Sequence, residues 1–156
     1  MDPAGPPVIA RPPLLFLAAL LIGFVLDRLL RLPWPVPEAD LPPWIIGGPL
    51  ILIGLALAAA GIGNFSQAGT PVRTITPTRA LVTTGIHGWT RNPIYLGMFL
   101  VYGGIGAAAE SSWTLVLTLP LAMLIRYGVV AREEAYLERL FGDAYRDYRA
   151  RVRRWL

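Results

Sequence analysis

The stretch Trp44-Ile-Ile-Gly-Gly-Pro-Leu-Ile-Leu-Ile-Gly-Leu-Ala-Leu-Ala-Ala-Ala-Gly-Ile-Gly63 decides the architecture, because it runs its whole length without a charged residue. A helix needs about 20 predominantly apolar residues to cross roughly 30 Å of hydrocarbon. Trp44 behind Pro42-Pro43 marks an interfacial start for such a span. The rest of the chain agrees: its 156 residues are 54% hydrophobic and 15% charged, with a mean hydropathy of +0.52, outside the usual range of soluble domains. Lipid is therefore the expected solvent for most of it. The absence of cysteine excludes a disulfide framework, a thiolate metal site and a cysteine nucleophile, and one histidine is too few for a histidine-built metal centre. No metal is expected. All 14 basic residues are arginine, a hint of a bacterial source.

Working outward, three further spans emerge. The first covers residues 12–30, with an apolar core from Leu14 to Leu26 that ends at Asp27 and Arg28 and offers no small-residue cleavage site. The third follows Pro93, whose missing N–H suits a first helical turn, and runs over residues 93–109. Its Gly97, Gly103, Gly104 and Gly106 permit close helix approach. The fourth covers residues 113–130, joined to the third by so short a turn that the two form an antiparallel hairpin. The expected fold class is thus all-α: a polytopic membrane protein of about four transmembrane helices in two helical hairpins, with a cytoplasmic C-terminal helical cap. The expected organisation is an N-terminal hairpin over residues 1–63 and a core over residues 64–156, comprising a loop at 64–92, two spans, and C-terminal helices from 131 to 156.

Orientation follows from the arginines, since basic charge beside short loops stays cytoplasmic. Arg73, Arg79 and Arg91 fall between spans two and three, and seven more arginines follow span four, so both segments belong on the cytoplasmic side. Arg28 and Arg31 fall on the opposite side, softened by Asp27, Glu38 and Asp40. The Pro-rich stretches at residues 3–13 and 33–43 read as a mobile start and an external loop. Net charge of +4 and a pI near 10.0 do not imply nucleic acid, because the basic residues flank apolar spans. Membrane headgroups are the nearer partner.

In the tail, Leu137, Leu140 and Phe141 share a helix face, Gly142 suits a helix end, and Asp143 suits the cap of the next helix. Tyr145, Tyr148, Val152 and Trp155 recur at helical spacing in a basic segment fitted to an anionic surface. Ionisable groups near a membrane are costly and face a partner or a wet cavity. Glu133 and Glu134 therefore either bind a cationic ligand group or pair with Arg132, Arg126 or loop arginines. His87, beside Gly85 and Gly88, is either a loop residue or an acid–base group. These residues describe a polar pocket capping a membrane hairpin and leave its ligand open.

Leu81-Val82-Thr83-x-Gly85, Arg91-Asn92-Pro93-x-Tyr95-x-Gly97, Glu133-Glu134-x-x-Leu137 and Phe141-Gly142-x-x-Tyr145-x-x-Tyr148, in this order, resemble the isoprenylcysteine carboxyl methyltransferase family and the related phospholipid methyltransferases, over residues 64–156. The resemblance implies an integral membrane enzyme that uses S-adenosyl-L-methionine on a lipophilic acceptor, possible acceptors including an isoprenylcysteine-type carboxylate. It further implies a cytoplasmic cofactor site, which agrees with the cytoplasmic C-terminus that the arginines predict; the all-arginine basic composition points to a bacterial inner membrane. Carried over by position, it puts cofactor contacts at Arg79, Ala80, Leu81, Val82, His87, Asn92, Pro93, Ile94, Tyr95 and Glu133, and catalytic roles at Arg91, Asn92 and Glu134. The chemistry of the residues is compatible: a Glu133 carboxylate suits the cofactor's ammonium, and the Arg91 guanidinium suits its carboxylate.

Two positions depart from the family pattern. Asn92 stands where histidine is common and His87 where tyrosine is, so position 92 cannot act as a base. Val129 stands where the eukaryotic prenylcysteine enzymes carry an arginine, leaving Arg126, Arg132 or a tail arginine to grip a carboxylate acceptor. Methyl transfer from a sulfonium needs alignment and dryness more than acid–base help. The alternatives are an NADPH-dependent membrane reductase of the sterol type, with Arg73, Arg79, Arg91 and the tail as phosphate ligands, and a non-catalytic membrane protein. Gly61-Ile-Gly63 is no dinucleotide fingerprint, since it lies inside an apolar helix with no preceding strand. Oligomeric state stays open.

Overall fold

The structure is a computed structural model that describes residues 6, 8–35, 42–72 and 78–156; Glu38, Asp40 and Arg73 lie outside these residues, as does part of each Pro-rich stretch. Among the described residues six α-helices follow one another: α1 (Pro12–Leu29), α2 (Trp44–Gln67), α3 (Pro93–Ala108), α4 (Ser112–Met123), α5 (Ala131–Phe141) and α6 (Asp143–Arg151). A 3-10 turn at Gly85–Gly88 precedes α3, and a π-helical stretch at Leu124–Val130 joins α4 to α5. The described residues contain no strand, only an isolated parallel bridge between Thr90 and Arg153. The chain is an all-α membrane protein, as its composition implies.

Among the described residues three helical stretches are long and apolar enough to cross a membrane: α1, α2 and the continuous rod Ser112–Phe141. The 16 residues of α3 rise only about 24 Å at 1.5 Å each, so it is the short member of the bundle. The rod differs from the expected span-then-cap arrangement. It does not pause at Arg132-Glu133-Glu134 but continues to Phe141, where Gly142, at φ +53°, ends it. Asp143 falls inside the first turn of α6 rather than at its cap, and pairs with Arg146 at 3.2 Å. The π stretch coincides with an insertion. The Ile9 N–H donates to the Gly128 carbonyl at 3.3 Å, and the Ile9 side chain fills the space where a Cβ on Gly128 would sit.

The two hairpins expected from the sequence, α1 with α2 and α3 with α4, are not the principal packing pairs. The most extensive contact is between α2 and α3, and α1 lies against α4. Glycines explain the first contact. Gly47, Gly54 and Gly61 recur every seven residues on α2, and Gly97 and Gly104 do so on α3, so each set forms a stripe two turns apart. Gly47 meets Gly104, and a Cβ on Gly54 would stand 2.6 Å from the Gly97 carbonyl oxygen. Backbones touch there because no side chain intervenes. By contrast Gly103 has open space around it, so it takes no part in the stripe.

The second contact is polar at one end. Asp27 of α1 accepts hydrogen bonds from the Ser111 hydroxyl and, at 3.3 Å, from the Trp113 N–H; the Trp113 indole donates to the Leu30 carbonyl at 2.6 Å. A carboxylate thus satisfies donors at the start of α4, which would otherwise be orphaned. Away from that polar end lies an apolar core in which Phe16, Tyr102, Ile125 and Val129 are buried.

Candidate functional site

A cavity of about 290 Å³ opens at the end of the bundle where α3 begins. Its apolar wall comes from Pro12 and Pro13 of α1, Ala58, Ile62 and Phe65 of α2, and Ile94 and Met98 of α3; His87, Arg91, Asn92, Tyr95 and Glu133 form its polar part. Two segments far apart in sequence therefore supply the polar groups: residues 87–95, from the turn before α3 into its first turn, and the first turn of α5.

Local structure fixes each polar group. The turn Gly85–Gly88 buries His87, whose ring meets Phe65 edge-on at 4.8 Å. The Asn64 amide lies 3.4 Å from His87 Nδ1 and donates to the Thr84 carbonyl at 2.7 Å, while the Tyr148 hydroxyl donates to the His87 carbonyl at 2.6 Å. Asn64, on the last turns of α2, thus braces the turn across a gap of 20 residues. Tyr95, one turn into α3, donates its hydroxyl to Glu133 Oε1 at 2.7 Å, and both groups are buried. A buried carboxylate held this way presents its charge to the cavity with little freedom to turn aside.

Successive residues of a helix diverge by about 100°, and this separates the two glutamates of α5. Glu133 faces the cavity, whereas Glu134 lies behind Arg91, which pairs with Glu134 Oε1 at 3.0 Å. Arg154 closes the same carboxylate from the other side, its Nη2 2.6 Å from Oε2 and its Nε 3.1 Å from Oε1. The hydrogen bond to Glu134 is the main cause holding the Arg154 guanidinium more strongly protonated than an ordinary arginine. The tail that carries Arg154 returns to the turn before α3: Arg91 N–H donates to the Arg153 carbonyl at 3.0 Å, and the Asn92 side-chain amide to the Arg154 carbonyl at 3.0 Å. Arg91 Nε is buried with no hydrogen-bond partner among the described residues. Such an orphan costs about 1–3 kcal/mol, and a ligand oxygen in the adjoining cavity would satisfy it.

Of the residues singled out in the sequence, His87, Arg91, Asn92, Pro93, Ile94, Tyr95 and Glu133 converge on this cavity. Arg79, Ala80, Leu81 and Val82 do not line it. The Arg79 N–H donates to the Thr70 hydroxyl at 2.9 Å, Val82 is buried, and Leu81 packs on the tail cluster of Tyr136, Leu137, Tyr145 and Tyr148. Neither Arg126 nor Arg132 lines the cavity. Sequence reasoning missed the Arg154 clamp and the bracing role of Asn64. The second had a signal, since Asn64 is the first polar side chain after an apolar run of twenty residues.

The fold and site together define an integral membrane protein with a pocket at one end of its helices, apolar over most of its wall and polar at His87, Arg91, Asn92, Tyr95 and Glu133. The phospholipid methyltransferase family profile matches residues 43–144, which is most of the chain, and the chain belongs to that family. It is 49% identical over 53 residues to an uncharacterised protein of Haemophilus influenzae, a match covering 29% of this chain and 84% of that protein. It is 37% identical over 73 residues to the protein-S-isoprenylcysteine O-methyltransferase of Schizosaccharomyces pombe, covering 46% of this chain but only 30% of the yeast enzyme. No solved structure is similar.

Proposed function

We propose that the chain is an S-adenosylmethionine-dependent methyltransferase whose acceptor is lipophilic and enters from the bilayer. The observation that carries this reading is the polarity of the cavity: a fixed Glu133 carboxylate and the unsatisfied Arg91 Nε border one apolar-walled space. An amino-acid cofactor end carries one ammonium and one carboxylate, which is the complementary pair. Glu133 would take the ammonium and Arg91 the carboxylate. When bound, this cofactor supplies an electrophilic methyl on a sulfonium.

The protein's own part is to orient and to exclude water. Tyr95 fixes Glu133; Glu134 fixes Arg91 and is itself occupied by two arginines, so it serves as a positioning residue rather than a base. The Asn92 amide is committed to the tail carbonyl, a structural task. With Glu134 occupied and Asn92 unable to take a proton, the acceptor that best fits this site is one that arrives ionised, such as a carboxylate. The cavity lacks the arginine that a prenylcysteine carboxylate would call for at position 129: Val129 is fully buried, and neither Arg126 nor Arg132 lines the space. The reductase reading needs several arginines around a phosphate, yet Arg91 alone among the described arginines lines the cavity. Arginine placement also favours a multi-pass arrangement with the cavity and tail on the cytoplasmic face of a bacterial inner membrane.

The test is a titration of the detergent-purified protein with S-adenosylmethionine, S-adenosylhomocysteine and NADPH. Saturable binding of the first two, weakened at least about tenfold by Glu133→Gln as expected for a lost charged hydrogen bond, is the predicted outcome. Preferential binding of NADPH would overturn the assignment.

A further inference from the structure

A second groove, of about 420 Å³, runs along the other flank of α3. Leu96 and Phe99 line it from α3, on the side away from the cavity residues Ile94 and Met98; Leu119, Ala122 and Met123 line it from α4. It ends at Arg126, Tyr127 and Trp155, level with the first turns of α3 and the returning tail. The groove is long, open and apolar, and its one cation stands at its mouth.

Arg126 is the unexplained residue. It sits in the π stretch of a membrane-length helix, where an ionised side chain is costly unless it meets a partner. Among the described residues no carboxylate lies within ion-pairing distance of it; its guanidinium lies 5.4 Å from the ring centre of Tyr127. Arg126 and Tyr127 are both exposed, so the guanidinium remains available. Glu133 and Glu134, the nearest acids along the helix, are engaged elsewhere, by Tyr95 and by Arg91 and Arg154.

We infer that this groove is a binding site for an anionic phospholipid distinct from the acceptor cavity: one acyl chain lies between Leu96, Phe99, Leu119 and Ala122, and the phosphate rests on Arg126. The charge selects the occupant. A neutral hydrocarbon would fill the groove but leave Arg126 unmet, and a protein helix would bring no obligatory anion at the membrane border. Tyr127 and Trp155 flank the headgroup level, where amphipathic rings are favoured. The inference depends on the membrane reading alone and not on methyl transfer.

Native mass spectrometry of the full chain, released from detergent with equimolar phosphatidylglycerol and phosphatidylcholine, tests it. Retention of phosphatidylglycerol should be favoured about fivefold, the size of one arginine acting on an anionic headgroup. Arg126→Gln should abolish the preference, and Leu119→Trp, at a side chain already exposed, should lower retention of both lipids by filling the groove. Unchanged S-adenosylmethionine binding in each variant shows that the fold persists, and loss of that binding in wild type would fault the cofactor reading without touching this one. Equal retention of the two lipids by wild type, or a preference that survives Arg126→Gln, overturns the site.

Discussion

Arg154→Met removes a guanidinium that donates two charged hydrogen bonds to Glu134, at 3.1 and 2.6 Å, and leaves Glu134 with Arg91 alone. Hydrogen bonds to charged groups contribute about 1.5–3 kcal/mol each when buried, whereas exposed ion pairs contribute about 0–1 kcal/mol. The Arg154 side chain is 29% exposed and Glu134 10%, which places the pair between those limits at about 2 kcal/mol in all. That energy corresponds to about a 30-fold drop in the population of the clamped arrangement. If the clamp positions Arg91 for the cofactor carboxylate, S-adenosylmethionine affinity falls several-fold, with about 30-fold as the ceiling. The assay is a double-mutant cycle on that affinity, using Arg154→Met, Glu134→Gln and the double variant. Residues acting in series are non-additive, so the double variant should bind no more weakly than Glu134→Gln alone. Arg154→Lys, which restores charge but not the two-pronged contact, should recover only part of the loss. Fully additive losses would refute the chain of action from Arg154 through Glu134 to Arg91.

Three further outcomes follow from the geometry. Tyr95→Phe deletes the 2.7 Å bond to Glu133 and should weaken cofactor binding roughly tenfold, as read by calorimetric titration, while Tyr102→Phe, whose hydroxyl serves the Thr114 carbonyl in the bundle, should leave affinity unchanged. Gly54→Val drives a side chain into the Gly97 backbone and should cost at least the 1–3 kcal/mol typical of overpacking, roughly, seen as a lowered thermal midpoint in detergent; Gly48→Val, with open space beside it, should not. Asp27→Leu strips the Ser111 hydroxyl and Trp113 N–H of their acceptor and should destabilise the protein by about 1–3 kcal/mol without altering cofactor affinity.

Which parts of this structure could be read from residues depends on the range of the interactions that make them. Spans one to three are local hydropathy, and their observed starts at Pro12, Trp44 and Pro93 coincide with a proline or an interfacial tryptophan. The end of α2 ran four residues past the apolar stretch, to Gln67, because Asn64 is held by Thr84 across the loop, a contact that hydropathy does not register. The continuation of the fourth span to Phe141 was hidden by three charged residues in succession, two of which are buried with partners on other segments. The π stretch has no compositional signature, since it accompanies the insertion of Ile9, more than a hundred residues away in sequence.

The site divides along the same line. The resemblance singled out Arg91, Tyr95 and Glu133, and these border one cavity. The tail is fastened to the turn before α3 largely through backbone: the Arg153 and Arg154 carbonyls receive donors from Arg91, Thr90 and Asn92, and carbonyls are identical in every residue. An amphipathic reading of the tail therefore assigned its arginines to a membrane surface, while one of them, Arg154, turned inward to Glu134. The pairing has a physical reason. Glu134 is nearly buried beside Arg91, and a second cation lets the carboxylate use both oxygens, so that neither group is left in the low-dielectric interior with an uncompensated charge. Glu133, one residue earlier, accepts a hydrogen bond from the Tyr95 hydroxyl and borders the cavity. Helix geometry thus gives two adjacent carboxylates different surroundings, one closed between Arg91 and Arg154 and the other at the wall of a cavity.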